Sequence, residues 1–460
     1  METVLKGIVK FMNDVLWNKY LVLLFLLLGS GIFFTVRTRF IQVRKFKEGM
    51  KLVFGNISLN GNSADSSGMS SFQALATAIA AQVGTGNIAG CATALVSGGP
   101  GAIFWMWISA FFGMSTIYGE AVLAQRFKCV NEDGDVVGGP IYYIKAAFKG
   151  KFGSFLATFF AIAIILALGF MGNMVQSNSI SEAFYTAFGL PKLATGLVIA
   201  TISAFVFLGG VKRIASITEK IVPLMAAFYI VGALVVLGIN HEAILPALTS
   251  IFVGAFQPSA VMGGALGIGI KETMRYGVAR GLFSNEAGMG STPHAHALAK
   301  VNKPQDQGCV AMVGVFIDTF VILTITALVI LTSGMLGTMG VDGELLSGTA
   351  LAQAAFNQSF GSFGDVFIAI CLLFFAFSTI IGWYFFGESN VKALFKNNKY
   401  AKMGYAMIAV VCIVLGSLQK VTLVWDMSDM FNGLMIIPNL LAVLALSGIV
   451  SKYANSDEFR

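Results

Sequence analysis

Charged side chains are scarce in this sequence. Asp, Glu, Lys and Arg make up 12% of its 460 residues, about half the share found in soluble domains, whereas 56% are hydrophobic. Apolar stretches of about 20 residues recur from end to end, and no long polar region separates them. The short alternating segments of a transmembrane barrel are absent. These features exclude a soluble domain and predict an all-α polytopic membrane protein.

Cysteine and histidine are few and poorly placed for metal or thiol chemistry. No two of the five cysteines have the spacing of metal ligands, so we interpret them as small core residues. His294 and His296 are two residues apart and would point to different faces of a helix. Without a metal cluster or a nucleophile–base pair, a membrane-embedded enzyme is not favoured. The five cysteines are Cys91, Cys129, Cys309, Cys371 and Cys412.

Hydropathy predicts eleven membrane spans, one followed by ten. The first apolar run, about 15–36, is longer than a signal-peptide core and has no small-residue cleavage pattern, so it is a retained span. The apolar, glycine-rich region 240–271 predicts a short hairpin or re-entrant piece. The other ten spans cover about 70–96, 101–126, 153–175, 194–210, 219–239, 272–301, 306–333, 363–388, 404–420 and 430–450.

The basic residues indicate topology. The formal net charge of +7 does not point to nucleic acid, because Lys and Arg cluster in short loops between spans. Alternate loops, such as 240–258 and 334–362, contain neither residue. The positive-inside rule therefore places the N-terminus outside and the C-terminus in the cytoplasm, although Lys6, Lys10 and Lys19 argue mildly the other way. Three basic residues that fit no simple loop are expected to line an outer vestibule: Lys271, Arg275 and Arg280.

Two glycine-rich breaks interrupt spans at bilayer depth, in residues 82–87 and 285–291. Unwound backbone is costly in hydrocarbon and persists where it lines a cavity or holds a polar ligand. Each break opens a set of five spans, and because five is odd, the two sets cross the membrane in opposite directions. This inverted repeat is typical of secondary transporters that bind solute between the breaks. The predicted division is 1–60 for the N-terminal span and basic loop, 61–240 for the first repeat, 241–271 for the connection, and 272–460 for the second repeat and tail.

The first break offers both poles that a zwitterion requires. Gly84 and Gly86 let the backbone leave helical geometry without steric cost. The N-terminal amides of the helix that follows carry partial positive charge and suit a carboxylate. The free carbonyls that end the preceding helix suit a cation or an ammonium group.

Other polar residues inside spans leave alternatives open. Glu286, in the second break, can pair with an ammonium group, titrate, or hold neighbouring groups in place. Ser378 and Thr379 bond either to their own helix or, facing the carbonyls of Ala80 and Val83, to a cation. Asp318 is a candidate for a second cation site or a relay. Phe170, Met289 and Trp383 are pocket walls or ordinary packing.

The segment 98–113, Gly-Gly-Pro-Gly-Ala-Ile-Phe-Trp-Met-Trp-Ile-Ser-Ala-Phe-Phe-Gly, resembles the signature of the alanine/glycine:cation symporter family. Residues 285–291, the Gly382-Trp383 pair and the span layout resemble the same family, so the likeness covers essentially the whole chain. The resemblance implies the amino acid–polyamine–organocation superfamily and its LeuT-type fold, with a 5+5 inverted repeat after one N-terminal helix.

The resemblance also implies roles for single residues. The amides near Thr85 and Gly86 take the substrate carboxylate, and Glu120 braces a broken helix or gate. Sodium binds at Ala80, Val83, Ser378 and Thr379, with a possible second sodium at Asn87 and Asp318. The full predicted substrate site comprises Gln82, Gly84, Thr85, Gly86, Asn87, Phe170, Phe283, Glu286, Gly288, Met289, Thr379 and Trp383.

The expected function is sodium-coupled import of small neutral amino acids, alanine or glycine, by alternating access at a cytoplasmic membrane. A proton-coupled amino acid or amine carrier is the alternative; the absence of a lysine from span 6, where proton-coupled relatives often place one, favours sodium. A channel is not favoured, because bulky aromatic residues interrupt the polar positions. The expected partners are the amino acid, the co-transported sodium ion and the lipid bilayer, with no nucleic acid, and the chain is expected to be a monomer.

Overall fold

The computed structural model describes residues 2–55, 68–262, 269–340, 343–419 and 421–456. The fold is 83% helical, as the sequence predicts, and its strands are two short segments that form one antiparallel pair, β1 (Cys129–Val130) and β2 (Val136–Val137). The helices of the N-terminal region are α1 (Glu2–Asn13), α2 (Val22–Arg37), α3 (Ile41–Arg44) and α4 (Phe46–Phe54).

The remaining helices follow the order expected for two halves and a connection. The first half contains α5 (Ser71–Gln82), α6 (Cys91–Gly98), α7 (Gly101–Arg126), α8 (Pro140–Ala147), α9 (Gly150–Ile164), α10 (Asn173–Phe188), α11 (Lys192–Phe207) and α12 (Gly210–Ile239). The connection contains a 3₁₀ turn (His241–Ala243), α13 (Ile244–Phe256) and α14 (Pro258–Met262). The second half contains α15 (Ile270–Asn285), α16 (Pro293–Ala297), α17 (Pro304–Val315), α18 (Thr324–Thr332), α19 (Gly348–Phe360), α20 (Phe363–Leu394), α21 (Lys399–Leu418), α22 (Val421–Ala445) and α23 (Ser447–Asn455).

Four π-helical segments widen these helices, three of them within the long spans or at a break. A π-turn adds one residue to a helical turn and is frequent at functional sites. The segments are Asp14–Asn18, Gly86–Gly90, Ile165–Gly172 and Phe316–Leu323.

Eight helices among the described residues are long and apolar enough to cross a membrane, and a ninth span is a pair bent by 47° at the first break. The eleven predicted spans include two further segments that do not meet this standard. Helix α11 has 16 residues, and α15 carries several charged side chains, so the count of eleven stays a prediction. The eight are Lys6–Arg37, Gly101–Arg126, Gly150–Phe188, Gly210–Ile239, Pro304–Thr332, Phe363–Leu394, Lys399–Leu418 and Val424–Ala445.

Large apolar side chains on the outer helices face outward. Phe25, Phe155, Phe205, Leu224 and Met407 are each more than 60% exposed, although they lie in long apolar helices. In water such a surface would drive association, whereas in a bilayer it faces lipid. These side chains fit the multi-pass membrane protein that the spans indicate.

The N-terminal span differs in detail from the prediction. Regular α-helix begins at Val22, because Leu21 has a left-handed backbone conformation with φ of 53°. The preceding segment is held by α22: the Asn13 side chain donates to the Asp426 carbonyl at 2.8 Å, and the Trp17 indole donates to the Asp429 carbonyl at 3.1 Å. These contacts explain why the predicted single run divides into two pieces.

The connection between the halves holds helix rather than a hairpin. Helix α13 packs on α7, and a Cβ at Gly101 would lie 2.2 Å from the Gly254 carbonyl carbon, so glycine is required for this approach. Residues 263–268 of the connection and the predicted boundary between residues 60 and 61 lie outside the described residues.

The ends of the two broken helices join at the face of the molecule that carries the basic loops, called the basic face below. The Met69 N–H donates to the Leu298 carbonyl at 2.8 Å, and the Lys300 N–H donates to the Met69 carbonyl at 2.9 Å. This parallel bridge connects the residue before α5 with the chain that leaves α16.

Candidate binding site at the two helix breaks

The two breaks meet inside the protein. Helix α5 ends at Gln82 and the chain resumes as a π-helix at Gly86, while α15 ends at Asn285 and α16 begins at Pro293. The Gln82 side-chain amide donates to the Asn285 carbonyl at 2.7 Å, so one hydrogen bond links both breaks directly. The two breaks thus form one buried polar centre, at which both helices lose their regular hydrogen bonds.

The end of α5 presents free carbonyl groups to α20. The Gly84 N–H donates to the Asn87 side chain at 3.0 Å rather than to the Ala80 carbonyl four residues back. The Ala80 carbonyl instead lies 2.8 Å from the Thr379 hydroxyl and 3.4 Å from the Ser378 hydroxyl, and the Val83 carbonyl lies 3.5 Å from the Thr379 hydroxyl. The structure thus brings the four predicted sodium ligands together.

The same two hydroxyls also reach their own helix. The Phe375 carbonyl lies 2.9 Å from the Ser378 hydroxyl and 3.0 Å from the Thr379 hydroxyl. A hydroxyl has one proton, so Thr379 can donate to only one of its three neighbouring carbonyls. The remaining oxygens form a pocket of negative potential, which suits a hard cation such as sodium.

Asp318 connects both breaks from the π-helical segment of the next span. Its carboxylate accepts from the Asn87 amide at 2.7 Å, from the Ser284 hydroxyl at 2.9 and 3.0 Å, and from the Thr319 hydroxyl at 2.8 Å. The Asn285 amide donates to the Thr319 hydroxyl at 3.1 Å. A charge buried this deeply is tolerated because several donors surround it.

Glu286 lies in the second break with a left-handed backbone, φ of 58°, which is uncommon for a residue other than glycine. Its carboxylate accepts from the Trp383 indole and, at 2.5 Å, from the Ser291 hydroxyl. Both donors belong to the protein, so these contacts correspond to the holding role among the three that the sequence leaves open. They fix the Trp383 ring and the shape of the break together.

Glu120 reaches the second break from α7. Its two carboxylate oxygens accept from the N–H groups of Gly288 and Gly290, each at 3.0 Å, and from the Asn439 amide at 2.6 Å. Gly288 and Gly290 have φ of 92° and 78°, so the loop needs glycine at both positions and an acceptor for both amides. Glu120 supplies that acceptor.

We expect Glu120→Gln to destabilise the second break. Three donors converge on the Glu120 carboxylate, and a glutamine would turn an NH₂ group toward at least one of them, at a cost of about 1–3 kcal/mol per unsatisfied donor. The melting temperature of the purified protein and its uptake rate should both fall. The exposed Glu242→Gln is the matched control and should change neither; equal stability of the two variants would show that Glu120 does not hold the break.

Aromatic rings cover the centre. The Phe283 ring lies edge-on to the Trp383 ring at 5.5 Å and 4.6 Å from the Trp425 ring. A Cβ at Gly172 would lie 2.5 Å from the Trp383 ring, which brings the π-helical segment of α9–α10 against it. The predicted wall residue Phe170 contacts Tyr405, with ring centroids 5.6 Å apart. Met289 is buried in the same apolar cluster as Phe283 and Trp383.

A vestibule of about 500 Å³ opens from the centre toward the face opposite the basic loops. Arg280 donates to both carboxylate oxygens of Asp429 at 2.8 and 2.7 Å and lies over the Trp425 ring at 4.6 Å. Arg275 lines the same cavity, over Tyr276 at 3.8 Å. Two of the three basic residues expected in a vestibule therefore line one.

Three residues of this centre are absent from the predicted site: Gln176, Trp425 and Asn439. Gln176 accepts at its side-chain oxygen from the Thr85 N–H at 3.0 Å and from the Thr85 hydroxyl at 2.6 Å. A signal for it exists in the sequence, because residues 173–181 of a long apolar span contain six polar side chains. Polar residues inside a membrane span mark functional positions.

Comparisons with known proteins agree on one family. The family profile described as the Sodium:alanine symporter family matches residues 1–458. The chain is 43% identical to the sodium/alanine symporter AgcS of Methanococcus maripaludis over 447 residues, 96% of this chain and 95% of that protein. It is 43% identical to the probable sodium/glutamine symporter GlnT of Bacillus subtilis over 451 residues, 98% of this chain and 90% of that protein.

Among solved structures, MhsT in complex with L-phenylalanine is similar to this chain with a TM-score of 0.58 at 14% identity, over 86% of this chain and 98% of that one. At this identity the likeness shows the fold, which is that of LeuT-type transporters.

Proposed function

Because this chain belongs to the sodium:alanine symporter family, we propose that it imports small neutral amino acids, alanine and glycine, together with sodium ions. The observation that carries the proposal is the group of oxygens at the first break. The Ala80 and Val83 carbonyls have left the hydrogen-bond pattern of α5 and face the hydroxyls of Ser378 and Thr379. Such an arrangement binds a hard cation by replacing its hydration shell.

Sodium at this position would act on the substrate site through the first break. A cation held by the Ala80 and Val83 carbonyls fixes the unwound end of α5, and Thr85 and Gly86 follow in the same segment. Ordering that segment in advance removes part of the entropy that substrate binding must otherwise offset. Sodium should therefore raise amino acid affinity, and by linkage the amino acid should raise sodium affinity by the same factor.

The walls of the centre favour a small solute. Trp383 is fixed by its bond to Glu286, and Phe283 is packed between Trp383 and Trp425. These rings would close over the side chain of the substrate, and Met289 completes the apolar surface. Alanine and glycine add one methyl group or none to the zwitterion, so they need little space beside these rings.

Asp318 and Asn87 form the proposed second sodium site. The Asn87 side-chain oxygen, the Asp318 carboxylate and the hydroxyls of Ser284 and Thr319 are close enough to share one ion, provided that the hydroxyls turn their protons away. A sodium ion there would link both breaks through charge, where hydrogen bonds link them in the ion-free structure.

We further propose that the basic face is cytoplasmic, with the N-terminus outside, and that the chain works as a monomer in the cytoplasmic membrane. Residues 61–240 and 272–460 are the two inverted repeats of this proposal, which rock against each other around the breaks to give alternating access.

Uptake by proteoliposomes tests the proposed function. Labelled alanine should accumulate when a sodium gradient is imposed and should not respond to a proton gradient alone. Glycine should compete, and glutamine belongs in the competition panel because one relative is named for glutamine. Uptake driven by protons and indifferent to sodium would overturn the coupling and favour the proton-coupled alternative, while non-saturable flux without counterflow would indicate a channel.

A further inference from the structure

Gln176 occupies the place at the first break where a substrate carboxylate is expected. It lies on α10 and is fully buried, and its side-chain oxygen accepts from both the N–H and the hydroxyl of Thr85. The orientation of its amide is fixed by chemistry, because a backbone N–H can only donate and must face the oxygen. The NH₂ group of Gln176 therefore points away from Thr85.

This NH₂ group has no hydrogen-bond partner within the described part of the chain, although it is completely buried. An unpaired buried donor is costly and indicates an acceptor that is present in another state of the molecule. The amide lies in the centre itself: a Cβ built at Gly84 would be 3.1 Å from the Gln176 oxygen and 2.3 Å from the Thr379 hydroxyl. Gln176 thus lies beside both the break and the proposed sodium ligands.

The backbone amides of the break are largely engaged already. The Gly84 N–H donates to the Asn87 side chain at 3.0 Å, and the Asn87 N–H donates to the Gly84 carbonyl at 3.2 Å. The Thr85 N–H, which the sequence assigns to the carboxylate, donates to Gln176. A carboxylate that enters this centre would therefore meet the Gln176 NH₂ group as an available donor beside the Thr85 amide.

We propose that Gln176 recognises the substrate carboxylate directly, donating through its NH₂ group while Thr85 holds its oxygen. This inference deepens the proposed function and rests on it, since it names the contact that selects amino acids over simple amines. The Thr85 amide then orients the glutamine instead of binding the carboxylate itself. A neutral donor suffices because the neighbouring sodium supplies the positive charge.

The test is Gln176→Glu, which keeps an oxygen for Thr85 and replaces the NH₂ donor by a second oxygen of a negative group. The alanine concentration for half-maximal uptake should rise by ~100-fold or more, as expected when a site loses the polar partner that a substrate group requires. Ethylamine, which is alanine without its carboxylate, should inhibit the variant more strongly than it inhibits the wild type.

A matched control is Gln42→Glu, which buries the same new charge far from the breaks, where the glutamine amide donates to the Thr35 hydroxyl at 2.8 Å. This control should leave the half-maximal alanine concentration unchanged, whatever it does to expression. Thermal-shift measurements on purified protein establish folding: the Gln176→Glu variant should keep the shift produced by sodium and lose the shift produced by alanine.

If Gln176→Glu does not fold, Gln176→Met, of similar length and without an amide, is measured in the same way, and a rise of at least ~10-fold is expected for the loss of one recognition bond. Wild-type alanine affinity in whichever variant folds would overturn the inference. Failure of the wild-type protein to take up alanine would instead overturn the proposed function, so the two failures are distinguishable.

Discussion

Replacing Gly84 by alanine should reduce sodium-driven alanine uptake by at least ~10-fold, because overpacking a tight site costs about 1–3 kcal/mol. The added Cβ would lie 2.3 Å from the Thr379 hydroxyl oxygen, far inside van der Waals contact. Thr379 has little freedom to retreat, because its hydroxyl lies within 3.0 Å of both the Ala80 and the Phe375 carbonyls. The collision therefore falls on the proposed sodium ligands and on the neighbouring Gln176.

Gly90→Ala is the control for this variant, in the π-helical segment that follows the break. A Cβ at Gly90 would meet no atom closer than 3.7 Å, which is ordinary contact, so uptake should stay close to that of the wild type. If Gly84→Ala and Gly90→Ala transported equally well, the close approach of α5 and α20 would not be needed for function.

Thr379→Val should raise the sodium concentration for half-maximal uptake by roughly 10-fold or more, since a lost polar contact of about 1–3 kcal/mol corresponds to such a factor. Valine keeps the shape of threonine and removes only the oxygen that lies 2.8 Å from the Ala80 carbonyl. The double variant Ser378→Ala with Thr379→Ala removes both hydroxyls and should abolish sodium stimulation. Uptake measured at a series of sodium concentrations, with alanine fixed, gives the comparison.

Thr201→Val is the matched control, because the Thr201 hydroxyl donates to the Leu197 carbonyl of its own helix and lies exposed on α11. It should leave the sodium dependence unchanged. A Thr379→Val protein with wild-type sodium dependence would show that its hydroxyl serves α20 alone and would remove it from the ion site.

The parts of the site that could be predicted from sequence are those where residue type and membrane depth conflict. Gly84, Gly86 and Gly288 stand out because glycine-rich, polar segments are expensive inside apolar spans. Glu120 and Asp318 stand out for the same reason, as charges that must find donors nearby. The structure supplies those donors, and it places both breaks against each other as the inverted order of spans predicts.

The remainder depends on geometry that no local pattern encodes. Gln176 is one of six polar residues in its helix, and only the rotation of the preceding π-helical segment decides which of them faces the break. The same segment turns Phe170 toward Tyr405, whereas its predicted place is a substrate wall. Leu21 breaks the first span through contacts made by residues more than 400 positions away, such as the bond from Asn13 to Asp426.

The parallel bridge at Met69 and Ala299 has a mechanical consequence for alternating access. It fastens the beginning of one broken helix to the end of the other by two backbone hydrogen bonds. A pull on α5 at this end is therefore transmitted to α16 without passing through the ligands between them. While the bridge is intact, the two helices form one linkage with a single degree of freedom, so release of cargo on the basic face is one concerted stroke rather than two independent openings.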